Sequence, residues 1–267
     1  MNARKALEIN NLSVSLSGKR ILENISFSID EGDFLIIIGP NGSGKTTLIK
    51  AVLNLVSYTG EVKIFGKAVH KMSGFRGMVG YVPQKFEFDR TFPITVSEAI
   101  DVALGKNIRE QAIRKQRIAF VLEQVGMSEY ARARIGSLSG GQIQRVLIAR
   151  AISNQPRIVF FDEPLAGVDV KGEENFYELI NNLKVSQKLT VALISHDVTV
   201  VNMYADKIAA LNRILVSFGE PKDVLVAQNM EKVYGRGFGI FKHKECLEKP
   251  REELTPEEIE KCKLFGE

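Results

Sequence analysis

The run "FLIIIGPNGSGKT" (Phe34–Thr46) contains two kinds of sequence back to back. Phe34–Ile38 is a continuous apolar stretch of strand length, which belongs on a strand buried on both faces. A glycine-rich turn and then a helical pattern come next, so a parallel strand feeds a helix and the fold class is α/β. Gly39–Thr46 fits the spacing G-x-x-x-x-G-K-[ST] in the strand-to-helix context that gives this spacing its mechanism. Glycines let backbone N–H groups turn inward around phosphate oxygens, and the helix N-terminus adds partial positive charge. Lys45 is placed to reach β- and γ-phosphates, and the Thr46 hydroxyl to ligate Mg²⁺. The stretch predicts that ATP or GTP binds at Gly39, Pro40, Asn41, Gly42, Ser43, Gly44, Lys45, Thr46 and Thr47.

A second apolar run, "RIVFFDEP" (Arg157–Pro164), ends in two carboxylates. Asp162 at the C-terminal end of a buried strand can hold Mg²⁺ through water. Glu163 must point elsewhere, because neighbouring residues on a strand face opposite ways. From there it can orient the attacking water or accept its proton. Gln84 in "YVPQ" is a candidate to orient water or ligate Mg²⁺, and His196 in "SHD" a candidate donor to the γ-phosphate. Asp169 in "LAGVD" reads by itself as a helix cap.

The stretch "SLSGGQIQR" (Ser137–Arg145) is at odds with itself. Ser139 and Gln142 have capping-box spacing, and Ile143, Val146, Leu147 and Ala151 continue as a helical pattern. Yet Gly140 and Gly141 fall in the first turn, each costing up to about 1 kcal/mol relative to alanine in a helix interior. Glycine at a helix start is tolerable where something approaches the backbone closely, and a helix N-terminus attracts anions. One phosphate loop and a second anion-seeking helix start suggest a nucleotide held between two surfaces.

The rest of the 267 residues bounds the possibilities. A net charge of +4, spread along the chain, gives no argument for nucleic acid. No apolar run approaches the ~18 residues of a membrane span, and the N-terminus has no secretory signal pattern. Cys246 and Cys262 are too few and too peripheral for a disulfide framework, so a cytosolic protein is expected. Alternation marks half-buried antiparallel strands at 7–16, at 25–29 and in "EVKIF". Thr95 with Glu98 predicts a helix ending before Gly105, and Asn107 with Glu110 one ending before Gly126. A further helix is expected over roughly 172–185, with "TVALI" (Thr190–Ile194) as another buried strand. The charged tail holds "TPEEIEK", a small capped helix with Pro256 at its first position. His243, Cys246 and Cys262 fall among Lys and Glu residues there and read as a solvated appendage rather than a metal site.

"GPNGSGKT", "YVPQ", "LSGGQ", "FFDEP", "VD" and "SHD" occur in that order across residues 39–197. The chain therefore resembles the nucleotide-binding subunit of ABC transporters over roughly residues 6–235. The resemblance implies a phosphate-loop NTPase core with a mostly parallel sheet, an antiparallel β-subdomain and an inserted α-helical subdomain. It divides the chain into a core of 1–89 and 154–235, a helical part of 90–153 and a tail of 236–267. It further implies ATP and Mg²⁺ as cofactors and a head-to-tail dimer of two copies, in which Ser139, Gly140, Gly141 and Gln142 of one close over ATP on the other. Glu163 is then the catalytic carboxylate, His196 the γ-phosphate contact, and Gln84 the link to the membrane partner. Separate permease chains and an extracytoplasmic substrate-binding protein are implied, with this subunit on the cytoplasmic face of the membrane.

Two departures from the family pattern stand out. Leu16 occupies the position where an aromatic residue usually stacks on adenine, and such a stack is worth about 1 kcal/mol. Ala166 stands where many members have a serine that contacts the nucleotide across the dimer. "FPITVSEAI" and "LAGVDVK" resemble the branch serving zinc and manganese importers. Importers of ferric siderophores or cobalamin share much of this, and a non-transport relative such as an Fe–S assembly ATPase has the same motifs.

Overall fold

The computed structural model describes residues 4–71, 77–84, 92–105, 108–165, 170–195 and 198–235. In chain order the first elements are β1 (Lys5–Leu16), β2 (Lys19–Asp30), β3 (Phe34–Ile38), α1 (Lys45–Val52), β4 (Thr59–Ile64), β5 (Lys67–Ala68) and β6 (Val79–Val82). Next come α2 (Val96–Leu104), α3 (Gln111–Gln124), α4 (Gly140–Ile152), β7 (Ile158–Phe161) and α5 (Val170–Gln187). The last are β8 (Thr190–Ile194), α6 (Val198–Tyr204), β9 (Lys207–Asn212), β10 (Ile214–Gly219), α7 (Pro221–Val224) and α8 (Ala227–Tyr234). The described residues of Met1–Ser73 and Thr190–Glu267 make one compact unit, and those of Gly74–Leu189 another.

In the first unit, β3 is wholly buried and runs parallel to both β8 and β9, with β10 antiparallel on the far side of β9. Each of these apolar side chains is worth roughly 1.5–3 kcal/mol when removed from water, so Phe34–Ile38 cannot be an edge. An Ile36→Ala cavity there would cost about 2–5 kcal/mol. The second sheet, in the order β2-β1-β4-β5, is antiparallel throughout. Leu7, Ile9, Leu12 and Val14 of β1 and Ile25, Phe27 and Ile29 of β2 point into its core. The alternation breaks at Asn10 and Asn11, both exposed, where Asn11 turns to φ 52° and the register shifts. Phe27 stacks on Phe218 of β10 with ring centroids 5.1 Å apart, joining the two sheets.

In the second unit, β6 and β7 are parallel neighbours and α2, α3 and α4 pack together. Two capping boxes start helices: Thr95 with Glu98 opens α2, and Ser139 with Gln142 opens α4. Arg117 closes the far end of α4, donating to the carbonyls of Ile152 and Ser153, each at 2.7 Å. Arg114 reaches the end of α2, with bonds to the Asp101 carboxylate at 2.6 Å and to the Gly105 carbonyl at 2.6 Å.

Several local expectations need correction. Glu110 does not act from inside a helix that opens at Asn107. It is itself the extended residue before α3, makes no side-chain cap, and the helix begins only at Gln111 (Asn107 lies outside the described residues). On α4 the buried residues are Val146, Ile148, Ala149 and Ile152, whereas Ile143, Leu147 and Ala151 are only half-buried. Leu16 continues the apolar alternation of β1 in sequence but is 41% exposed, because the strand ends there in the turn at Ser17 and Gly18. Strands β6, β9 and β10 were not anticipated. The helix expected in the tail, with His243, Cys246 and Cys262, lies outside the described residues. Among the described residues no helix is long and apolar enough to cross a membrane.

Candidate nucleotide-binding and hydrolysis site

The phosphate loop leaves the end of β3 and enters α1, whose N-cap is Gly44 in the left-handed region at φ 101°. A Cβ on Gly44 would lie 2.5 Å from the Leu22 side chain. One on Gly39 (φ 153°) would lie 2.1 Å from the Leu211 carbonyl oxygen, so both positions admit only glycine. Lys45 is 4% exposed, and its ammonium donates to the Gly39 carbonyl at 2.9 Å and the Pro40 carbonyl at 3.0 Å. Its own loop thus bends the side chain back over the turn. Ser43 Oγ is buried with no hydrogen-bond partner among the described residues. Thr46 and Thr47 sit in the first turn of α1, which carries no acidic residue. An inward-held ammonium, a buried hydroxyl without a partner and the positive end of a helix fit a phosphate group. Tyr234 of α8 lies beside this loop: burial pushes its phenol up to about 12, and the Gly39 backbone opposes the rise.

In the other unit β7 delivers the carboxylates. The Asp162 amide extends the ladder by donating to the Val82 carbonyl at 2.9 Å, and the residue is 2% exposed. The Tyr81 hydroxyl donates to Asp162 Oδ2 at 3.3 Å, and burial with that carboxylate beside it pushes the Tyr81 phenol up to about 12. Glu163 leaves the strand with φ 46°, a left-handed conformation that is uncommon for a non-glycine residue and concentrates at functional sites. Its Oε2 accepts from Gln84 Nε2 at 2.5 Å, so Gln84 and Glu163 are brought together. The carboxylate oxygens of Asp162 are hard donors of the kind that suits Mg²⁺.

Ser139, Gly140 and Gly141 are exposed at the start of α4. The Ser139 hydroxyl accepts from the Gln142 amide at 3.3 Å, and Gln142 Oε1 accepts from the Ser139 amide at 2.9 Å. Among the described residues, a Cβ on Gly140 or Gly141 would meet nothing within 4 Å, so no packing among them explains either glycine. His196, Asp169 and Ala166 lie outside the described residues. Sequence reasoning passed over Tyr81 although it stands in "YVPQ". The signal was strand alternation, which puts it on the same face as Asp162 once β6 is paired with β7. Nothing local in the sequence marks Tyr234.

The α/β core and its loop define a phosphate-loop nucleotide-binding protein. The family described as ABC transporter matches residues 22–166, and the chain belongs to it: it is an ATPase subunit whose hydrolysis of ATP is coupled to transport. Its sequence is 36% identical over 243 residues to the manganese transport system ATP-binding protein of Halalkalibacterium halodurans, covering 90% of this chain and 96% of that one. It is 37% identical over 225 residues to the zinc uptake system ATP-binding protein of Listeria innocua, covering 80% and 86%. Among solved structures, an inward-facing conformation of a putative metal-chelate type ABC transporter matches with a TM-score of 0.74 and 26% identity, covering 86% of this chain and 88% of that one.

Proposed function

We propose that this chain powers the import of a divalent metal ion, zinc or manganese, through separate membrane permease chains, and that two copies close head to tail around ATP. The observation that carries the composite site is the start of α4, an exposed, pre-capped turn with two glycines that no packing among the described residues requires. A helix start of that kind is suited to receive a phosphate brought from outside the chain. Relatives named for manganese and for zinc, similar to this chain to nearly the same degree, support the cargo class.

In this reading Lys45 and the loop amides bind the β- and γ-phosphates, and Thr46, Asp162 and Gln84 hold Mg²⁺. Bound there, the metal neutralises charge on the phosphate oxygens. Glu163 orients the attacking water and accepts its proton, with Gln84 holding the carboxylate in place. His196 touches the γ-phosphate, while Ser139, Gly140, Gly141, Gln142 and Asp169 act across the dimer. Leu16, exposed at the end of β1, offers the adenine an aliphatic surface instead of an aromatic one. The subunit sits peripherally on the cytoplasmic face, against permease chains that receive cargo from an extracytoplasmic binding protein.

The test is the elemental content of cells lacking this chain and complemented with wild type or with Glu163→Gln. A selective fall in zinc or manganese, restored by wild type alone, is expected. A fall in iron or cobalt instead would assign a siderophore or cobalamin importer, and unchanged metals would overturn metal import.

A further inference from the structure

Strand β6 places Tyr81 opposite Phe160 of β7, and Val82 opposite Phe161. Side chains two apart on a strand share a face, so Tyr81 looks toward the same side as Phe160 and Asp162. There its hydroxyl donates to Asp162 Oδ2 at 3.3 Å, and Asp162 as a residue is 2% exposed. The strand is also held from behind. Gly80 faces the other way, where a Cβ would lie 2.7 Å from the Ala151 carbonyl oxygen of α4, so backbone packs directly on backbone.

We propose that Tyr81 is a positioning residue for magnesium: its hydroxyl fixes the rotation of the Asp162 carboxylate, which would hold the ion. This rests on the reading of Asp162 as a Mg²⁺ ligand. A neutral donor suits the task, because it orients the carboxylate and leaves its negative charge for the cation. A lysine in the same place would satisfy the carboxylate and compete with the metal. Partners that orient a ligating carboxylate commonly change metal affinity about 10- to 100-fold when removed, and the length of this bond points to the lower end.

The experiment measures ATP affinity by calorimetry, with Mg²⁺ and again with EDTA, in a Glu163→Gln background that does not turn over. The ratio of the two affinities reads the contribution of the metal. Tyr81→Phe is expected to reduce that ratio about tenfold while leaving the EDTA value unchanged. Asp162→Asn should lower the ratio further than Tyr81→Phe does, and adding Tyr81→Phe to it should change nothing more, because the hydroxyl acts only through that carboxylate. An unchanged ratio in Tyr81→Phe overturns the proposal, as does an equal loss with and without metal, which is what a purely structural tyrosine would give. If Asp162→Asn itself keeps the ratio intact, the assignment of Asp162 fails and the role of Tyr81 goes with it.

Discussion

Gln84 Nε2 donates to Glu163 Oε2 at 2.5 Å, so a residue just beyond β6 holds the carboxylate just beyond β7. Glu163 stands on a left-handed backbone, and its side chain is tied in a second place. Removing the carboxylate charge with Glu163→Gln should lower kcat about 10²–10⁴-fold and leave ATP affinity intact. Gln84→Ala should lower kcat by a smaller factor and, because Gln84 would also hold Mg²⁺, weaken ATP binding only when the metal is present. At saturating ATP and Mg²⁺ it should have no further effect on kcat in the Glu163→Gln background, and steady-state ATPase assays on the four proteins would read this.

Gly141 separates stability from activity. The position is helical, and a methyl group there meets nothing within 4 Å. Gly141→Ala is therefore expected to raise stability by up to about 1 kcal/mol, seen as a higher melting temperature. The same change should depress ATPase activity, since the added Cβ obstructs whatever approaches the turn from outside. A variant that is both more stable and fully active would remove the reason given for the glycine.

Lys45→Ala should weaken ATP binding about 10- to 100-fold, the range expected for losing a charge-assisted contact. Gly39→Ala should weaken it too, for a different reason. Its Cβ would collide with the Leu211 carbonyl oxygen, so the loop must shift and the melting temperature must fall with the affinity. Thermal melts with and without ATP distinguish the two.

A pH effect is expected far from the nucleotide. Burial, with the carboxylates of Asp206 and Asp30 nearby, holds the Asp33 carboxyl above its ordinary range. A raised carboxyl pKa contributes stability below the unfolded value and loses it as pH climbs through the folded one. Asp33→Asn keeps an oxygen able to accept from the Asp30 amide, and should melt higher than wild type at pH 7. At pH 3 the two should coincide, because Asp33 is then protonated in both states.

How much could be read from the chain depended on how local each signal was. Phe34–Ile38 and Ile158–Phe161 are apolar at every position, so their burial was visible without a partner. Thr95 and Ser139 announce their helices because a capping box is written within four residues. Glu110 carried the same letters without the geometry: it is itself the extended residue before α3 and makes no side-chain cap. Strand β9 escaped notice because its burial is decided by pairing with β3, far away in sequence, and β10 joins the sheet only through β9. The tie between Tyr81 and Asp162 spans 81 positions and exists only after β6 and β7 align. Gln84 and Glu163 were each legible as reactive types, but their direct bond was not.

Helix α4 is sealed at both ends by its own unit: Ser139 and Gln142 close the front, and Arg117 takes the last carbonyls at the back. Caps of this kind hold a helix's terminal turns in place, so α4 stays ordered up to both ends. Near the other end, at Ala151, the backbone of α4 lies directly against Gly80 with no side chain between them. Gly80 is one residue from Tyr81 and four from Gln84. One helix of thirteen residues thus carries the exposed turn at its front and, near its back, the backbone against which the strand leading to Tyr81 and Gln84 is seated.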